Sequence, residues 1–324
     1  MKSISVIVPL YNECQSLSEL YEEILAAVTA ISSDYECIFV DDGSTDGSFQ
    51  VLRRLQEKDS HVKIVRLRRN FGKSAALSAG FRLATGEIIV TLDADLQDCP
   101  AEISKLVKRL DEGCDLVSGW KQRRQDPLSK RWPSRLFNFL TSRLTGVPLH
   151  DINCGLKAYR HRVIEEIKVY GEMHRYIPVL ASYRGFLVSE VPVKHRPRRY
   201  GKSKFGIGRL GGGFFDLLTV IMLTRYNSKP LHVFGVLGGG LLAAGFLIEI
   251  YLTVGWFLGH YIEDRPLFMA GILLLIIGVQ FIFFGLMAEM IAYSSRREDE
   301  YSIREVLVVG ADEVKKAVPA PLRR

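Results

Sequence analysis

The chain has 324 residues, 48% of them hydrophobic, and a formal net charge of +7. It is too apolar for a disordered chain and long enough for one large domain or two smaller ones. Five cysteines (Cys14, Cys37, Cys99, Cys114 and Cys154), odd in number and without metal-ligand spacing, argue against a disulfide scaffold or a zinc site and read as reduced thiols in a cytoplasmic domain.

MKSISVIVPL has no signal-peptide layout. Its run ISVIVPL (4–10) opens an alternation of strand and helix patterns. The helical spacing of SLSELYEEILAAV (16–28) leads to the strand YECIFVDDGS (35–44), the helix SFQVLRRLQEK (48–58) and the strand VKIVRL (62–67). The helix SAALSAGFRLA (74–84) and the strand EIIVTLD (87–93) follow. Such alternation predicts an α/β fold with a parallel sheet, helices on both faces, and ligands bound beyond the carboxyl ends of the strands. PLYNE (9–13), DDGSTD (41–46) and DADLQD (93–98) all fall at that edge.

After residue 120 the pattern loosens into WKQRRQDPLSKRWPSRLF (120–137), with helical spacing only from about Ser134. The positive charge clusters here and at 194–204. FFDLLTVIML (214–223) is apolar but too short to cross a bilayer and suits a helix at the membrane surface. Two longer apolar blocks, roughly 231–258 and 266–293, each exceed the ~20 residues needed to cross ~30 Å of hydrocarbon. Lys229 precedes the first block and Arg296 and Arg297 follow the second, so the domain and tail are expected in the cytoplasm and GHYIEDRP (259–266) outside. Within the blocks, Glu249 reads as a helix-packing contact and Glu289 as an interfacial acid. In the tail, Tyr301 to Val309 reads as a strand that must add to a sheet edge of its own or a neighbouring subunit, and an exchanged strand would tie together a homo-oligomer.

Asp93 and Asp95 flank one small residue just past a strand. Strand alternation would point them to opposite faces, so both reach one point only if the chain turns. Their repulsion is removed by a divalent cation, and Mg²⁺ is commonly held by one or two carboxylates plus substrate phosphates. An EF-hand is rejected because Asp98 stands where Gly is required and Ser104 where Glu is required. FGKSAA resembles a phosphate-binding P-loop but has Leu67 in place of the earlier glycine. A solvated acidic turn is the plain alternative for any D-x-D.

VIVPLYNE (6–13), FVDDGSTDGS (39–48), RNFGKSAALSAGF (69–81) and TLDADLQDCP (91–100), in this order and spacing, closely resemble the glycosyltransferase family 2 pattern with its GT-A (Rossmann-like) nucleotide-sugar fold. With DINCGLKAY (151–159), the basic residues and two C-terminal apolar helices, the chain looks like the polyprenyl-phosphate glycosyltransferases: dolichyl-phosphate mannose synthase relatives and bacterial bactoprenol glucosyltransferases. The resemblance implies a catalytic domain over 1–205, interfacial helices over 206–229, a transmembrane hairpin over 230–294 and a cytoplasmic tail over 295–324. It implies a nucleoside pocket of Pro9, Tyr11, Glu13, Asp41 and Asp42, for which a strand-end tyrosine and helix-capping acids are the plain alternative, a metal site of Asp93 and Asp95 holding Mg²⁺ or Mn²⁺ with Gln97 as neighbour, and Lys73 either reaching donor phosphate or starting its helix. Asp151 becomes a candidate for orienting the acceptor, a sugar hydroxyl or a nearby Arg, with a structural loop acid as the alternative.

The acceptor would be a polyprenyl phosphate, nearly dianionic at neutral pH. Candidates to hold it are Arg123, Arg131, Ser134 and Arg135, with Arg199 and Lys202 of the later basic loop. Attraction to anionic lipid is a second use for such residues, and nucleic-acid binding a weak third because no base-reading module is visible. The expected reaction is inverting transfer of a hexose, first glucose from UDP-glucose, to undecaprenyl phosphate on the cytoplasmic side of the inner membrane, with a separate flippase downstream. GDP-mannose, UDP-N-acetylglucosamine and UDP-modified arabinose are alternative donors. A processive polysaccharide synthase, which needs a Q-x-x-R-W spacing absent here, and a non-enzymatic scaffold are alternative functions.

Overall fold

The computed structural model describes residues 2–122, 138–197, 199–200, 217, 219–222, 230–259 and 266–294. Among these, seven strands form one sheet: β1 (Ile4–Leu10), β2 (Tyr35–Asp41), β3 (Val62–Arg66), β4 (Ile88–Thr91), β5 (Leu116–Trp120), β6 (Lys157–Arg160) and β7 (Val188–Pro192). Their order is β3-β2-β1-β4-β6-β5-β7. The first four run parallel, as the alternation predicts, and β7 is parallel to β5. β6, however, is antiparallel to both β4 and β5, which corrects the expectation of a wholly parallel sheet. The chain returns to the carboxyl edge of β4 before β6 begins, so β6 starts there, with Lys157 opposite Thr91, and runs back down.

Alternate residues of the inner strands serve two cores, as a strand period of two requires. Val6, Val8, Phe39 and Val90 belong to one cluster, and Ile7, Ile38, Val40 and Ile89 to the other. The first is completed by α1 (Leu17–Thr29), α2 (Ser48–Lys58) and, later in the chain, α4 (Ile103–Asp111). The second is completed by α3 (Lys73–Leu83), α5 (His161–Glu166) and α6 (Ile177–Tyr183). In α1 the buried residues Leu17, Leu20, Tyr21, Ile24 and Val28 recur every three or four positions, which places them on one helical face. α3 lies so close to β1 that a Cβ on Gly80 would stand 2.5 Å from Ile7 Cγ2.

The surface-helix expectation meets a second use of the same segment. Residues 217 and 219–222 are helical, and Leu217 and Val220 are buried in the second core, so part of this segment packs on the α/β fold. Two long helices follow, α7 (Pro230–Phe257) and α8 (Pro266–Ser294). Their mean hydropathies of 2.0 and 2.7, with only 11% of each apolar window buried, separate them from core helices of a soluble protein. They pack through glycines: a Cβ on Gly238 would lie 2.7 Å from Gly278 O, and one on Gly245 2.9 Å from Gly271 O. Without a hydrophobic drive between helices in lipid, such close backbone approach is how they associate. The Glu249 carboxylate fits against Gly271, and Glu289 Oε2 accepts the Leu231 N–H at 3.2 Å, capping the start of α7. The charges used to orient the hairpin, most of the 259–266 connection and the 301–309 strand lie outside the described residues.

One polar knot ties the first core. Asp59 accepts from the Tyr21 hydroxyl, from Tyr35 OH at 3.2 Å, from the His61 N–H at 2.9 Å and lies 2.6 Å from His61 Nδ1. Burial pushes its pKa up, but these donors outweigh burial and bring it to about 2. Because the folded pKa lies below the unfolded value of about 3.9, the stabilisation is present above that value and is lost as pH falls through about 2. Asp59→Asn is therefore expected to cost about 1–3 kcal/mol at pH 7. Thermal unfolding of the full chain in detergent should show that gap closing below about pH 4; an equal Tm for variant and parent at pH 7 would contradict it.

Candidate active site

The β1–β2 ladder runs to Leu10 and Asp41, and past it the two loops are joined by side chains. The Asn12 N–H donates to Ser44 Oγ at 2.9 Å, and Asn12 Oδ1 accepts the Thr45 N–H at 2.8 Å. The Glu13 N–H reaches Ser48 Oγ at 3.0 Å and the Cys14 N–H reaches Asp46 Oδ2 at 3.2 Å. Asn12 has a φ of 54°, a left-handed conformation that Asn tolerates better than most residues. Gly43 also has a positive φ, 71°, and a Cβ there would run into the Arg69 backbone.

Behind these loops both expected nucleoside acids are buried. Asp41 Oδ1 accepts the Ser44 N–H at 2.8 Å, with Arg66 Nε 3.6 Å from Oδ2. The Asp42 carboxylate takes the N–H groups of Phe71 and Gly72 at 2.7 and 2.9 Å. Burial raises the Asp42 pKa and these two bonds oppose the rise. Asp42 thus fixes the entry to α3, whose first residue is Lys73.

Past β4 the chain turns, as a shared role for Asp93 and Asp95 requires. Leu96 takes a φ of 59°, Ser16 Oγ donates to Ala94 O at 2.7 Å, and Asp95 Oδ1 accepts the Gln97 N–H at 3.2 Å. Asp93 is half-buried and pairs with the Lys73 ammonium. Burial alone would raise its pKa, but Lys73 first, then Lys121 and Lys157, lower it to about 2. Gly155 closes the other side: a Cβ there would stand 2.5 Å from Asp93 Oδ2. Thr91 Oγ1 donates to Gly155 O at 3.0 Å and holds that glycine in place.

The pocket at this point is lined by Pro9, Lys73, Asp93, Asn153, Gly155, Lys157 and His174. Lys121 is 2.6 Å from the buried Asp98, which sustains its charge against burial. The Lys157 ammonium donates to Cys154 O, and burial pulls its pKa down. Ser74 Oγ lies 2.9 Å from His174 Nδ1, and burial, with Lys73 and Arg175 nearby, drives the imidazole pKa down to about 2. That ring is neutral at physiological pH.

The structure therefore brings Pro9, Lys73 and Asp93 to one cavity. Tyr11 and Glu13 stand on the adjoining loop, and Asp95 and Gln97 continue the turn. Asp151 is buried at the head of the 151–155 turn, where Ser118 Oγ donates to its carbonyl at 3.4 Å. Arg199 is ion-paired with Glu19 on α1. Arg123, Arg131, Ser134, Arg135 and Lys202 lie outside the described residues. Gly155 enters the sequence reading only within DINCGLKAY, and Lys121 and His174 not at all: the β4–β6 register sets Gly155 beside Asp93, the Asp98 pair holds Lys121, and the contact of α3 with residues 173–176 brings His174.

A family model described as Glycosyl transferase family 2 matches residues 5–168. The chain belongs to that family. Dodecaprenyl-phosphate galacturonate synthase of Rhizobium johnstonii is 42% identical over 315 residues, which cover 94% of this chain and 92% of that protein. Undecaprenyl-phosphate 4-deoxy-4-formamido-L-arabinose transferase of Shewanella sediminis is 37% identical over 311 residues, covering 94% and 92%. Among solved structures, glucosyl-3-phosphoglycerate synthase of Mycobacterium tuberculosis, in complex with Mn²⁺ and UDP-glucose, superposes with a TM-score of 0.54 over 69% of this chain and 79% of that one, at 20% identity. That likeness establishes the GT-A fold of this glycosyltransferase family 2 enzyme.

The clearance at Gly155 yields a sharp expectation. Gly155→Ala puts a methyl group into the Asp93 carboxylate, and a displacement of about 1 Å at a reacting centre costs on the order of 100-fold in rate. Sugar transfer by this variant should fall by about that factor while its Tm stays near the parent value, measured on the same preparation; wild-type activity would mean that Asp93 need not stay where it is.

Proposed function

We propose that this enzyme transfers a sugar from a nucleotide diphosphate to the phosphate of a polyprenyl lipid at the cytoplasmic face of a membrane. The observation that carries the reading is that one chain joins the paired Asp93 and Lys73, at the carboxyl edge of the sheet, to two helices of membrane-spanning length and composition. The near full-length similarity to two polyprenyl-phosphate sugar transferases supports it. Those relatives are named for galacturonate and formamido-arabinose, whereas the sequence expectation is glucose, so the donor is the finer part of the proposal.

Asp93 and Asp95 would hold a divalent cation. The donor set fits a hard metal: two carboxylates on one turn, Asp93 held well below the ordinary carboxylate pKa, and, among the described residues, no cluster of three or more His, Cys, Asp or Glu side chains that would complete a shell without substrate oxygens. Bound there, Mg²⁺ or Mn²⁺ supplies positive charge to the diphosphate. Lys73, beside the same carboxylate, offers an ammonium to the departing group, and the buried Asp42 keeps Lys73 at the mouth of α3 by fixing residues 71 and 72.

The nucleophile is an oxygen of the lipid phosphate. Its second pKa is near 6, so at neutral pH it needs little help from a general base. It forms a bond to the anomeric carbon as the bond to the diphosphate breaks, the electron pair leaving with the nucleotide and the configuration inverting. The remaining work is electrostatic, since two anions must meet. The basic residues Arg123, Arg131, Arg135, Arg199 and Lys202, with Ser134, are proposed to hold the acceptor phosphate, and Asp151 to orient the acceptor side through its basic neighbours. A flippase would then move the product.

The test is transfer of radiolabel to undecaprenyl phosphate in detergent, from UDP-glucose and from nucleotide-linked galacturonate and 4-deoxy-4-formamido-L-arabinose, with Mg²⁺, Mn²⁺ or EDTA. Label should enter the lipid phase from one donor and disappear with EDTA. Asp93→Ala and Asp95→Ala should each lose at least about 100-fold without unfolding; a fully active Asp95→Ala enzyme would refute the metal assignment.

A further inference from the structure

His174 is the one imidazole in the pocket, and neither the acidic motifs nor the acceptor arginines account for it. Its ring is fixed at one end. Ser74 Oγ sits 2.9 Å from Nδ1 and also accepts the His174 N–H at 3.1 Å, so the first turn of α3 grips both ring and backbone. No hydrogen bond from Nε2, at the other end, to a described residue accompanies these, and the residue lines the pocket. A ring anchored at one nitrogen, lining the same small cavity as Asp93, Asn153 and Lys73, leaves its second nitrogen for a ligand group.

The chemistry narrows which part of the ligand. The diphosphate has Lys73 and the D-x-D turn, and the base belongs to the braced β1 and β2 loops. What remains is the sugar, whose hydroxyls both donate and accept and so match Nε2 in either tautomer. We propose that His174 is the specificity-determining residue for the donor sugar, hydrogen-bonding a sugar hydroxyl through Nε2, a role that presupposes the nucleotide-sugar reading above. The groups facing the ring are Ser74, the cations Lys73, Arg175 and Lys157, and the Asp93 carboxylate. Their net positive field, together with burial, keeps the imidazole unprotonated, which suits a fixed hydrogen-bonding partner and not a residue that cycles a proton near neutral pH.

The experiment compares wild type, His174→Ala and His174→Asn as full-length enzymes in detergent. Binding of UDP, UDP-glucose and UDP-galacturonate is measured by calorimetry with Mn²⁺, and transfer to undecaprenyl phosphate is measured across pH 6 to 8. His174→Ala should raise KM for the preferred donor by about tenfold, the loss of one hydrogen bond. It should flatten the ranking of the two sugars, leave UDP affinity unchanged and leave the shape of the pH profile unchanged. His174→Asn, which keeps a polar atom, should recover part of the ranking.

Unchanged donor KM and ranking would overturn the assignment. So would an equal loss of UDP affinity, the mark of a structural role, or a fall in kcat with loss of one limb of the pH profile, the mark of a general base. If wild type binds the nucleotide sugars but labels no lipid, the polyprenyl-phosphate reaction fails while the calorimetry still decides His174; if it binds UDP but neither sugar nucleotide, the assignment fails outright.

Discussion

The carboxylate of Asp93 is held between the Lys73 ammonium and the α-carbon of Gly155, and much of the sheet exists in the form that allows this. A partly buried carboxylate is costly unless its charge is met. Here it is met by cations from three separate places: Lys73 opening α3, Lys121 just after β5 and Lys157 opening β6. Lys121 is itself neutralised by Asp98, so its influence on Asp93 is weaker than its charge alone suggests. Asp93 is thus the acid turned toward the cavity with its charge met by lysines, a starting point for exchanging a lysine contact for a harder cation.

Reversal of β6 is what brings the second motif to the first. A parallel β6 would begin at the opposite edge, and the 151–155 turn would lie a strand's length from Asp93. With Lys157 paired to Thr91, the glycine two residues earlier falls beside the carboxylate two residues later, and the Thr91 hydroxyl fastens the two segments together. A side chain at 155 would have to displace the Asp93 carboxylate, since a Cβ there would overlap its atoms.

The parallel half of the fold was legible in the sequence because each of its strands is an apolar run and each of its helices carries a three-to-four residue stripe. The D-x-D turn was legible as well, from its position past a strand and from the mismatch between its spacing and strand alternation. Other parts were not. KAYR in β6 is too short and too polar for its direction to be read, and direction decides what DINCG touches. Asp41 and Asp42 read either as nucleoside-pocket acids or as helix-capping acids, and the sequence does not show that backbone N–H groups of residues 44, 71 and 72 engage their carboxylates, contacts set by loop geometry. His174 sits in GEMHRY, where nothing local separates it from a surface histidine; only packing against Ser74, a hundred positions earlier, reveals it.

Contacts also tie the acidic turn to the segment around residues 195–199. Gln97, next but one to Asp95, accepts the Arg196 N–H on its carbonyl at 2.9 Å, and Asp98 forms a β-bridge with His195. Arg196 then reaches Glu23 at 2.6 Å and Arg199 pairs with Glu19, laying this segment along α1. Exposed ion pairs of this kind contribute at most about 1 kcal/mol each, so the attachment depends mainly on the backbone bonds. Those bonds hold residues 195 and 196 at the carboxyl edge of the sheet, and Leu217 and Val220 lie in the second core before α7 begins. The chain is thereby tied to the α/β fold at Arg196 and Arg199 and again at Leu217 and Val220, on both sides of residues 201–216.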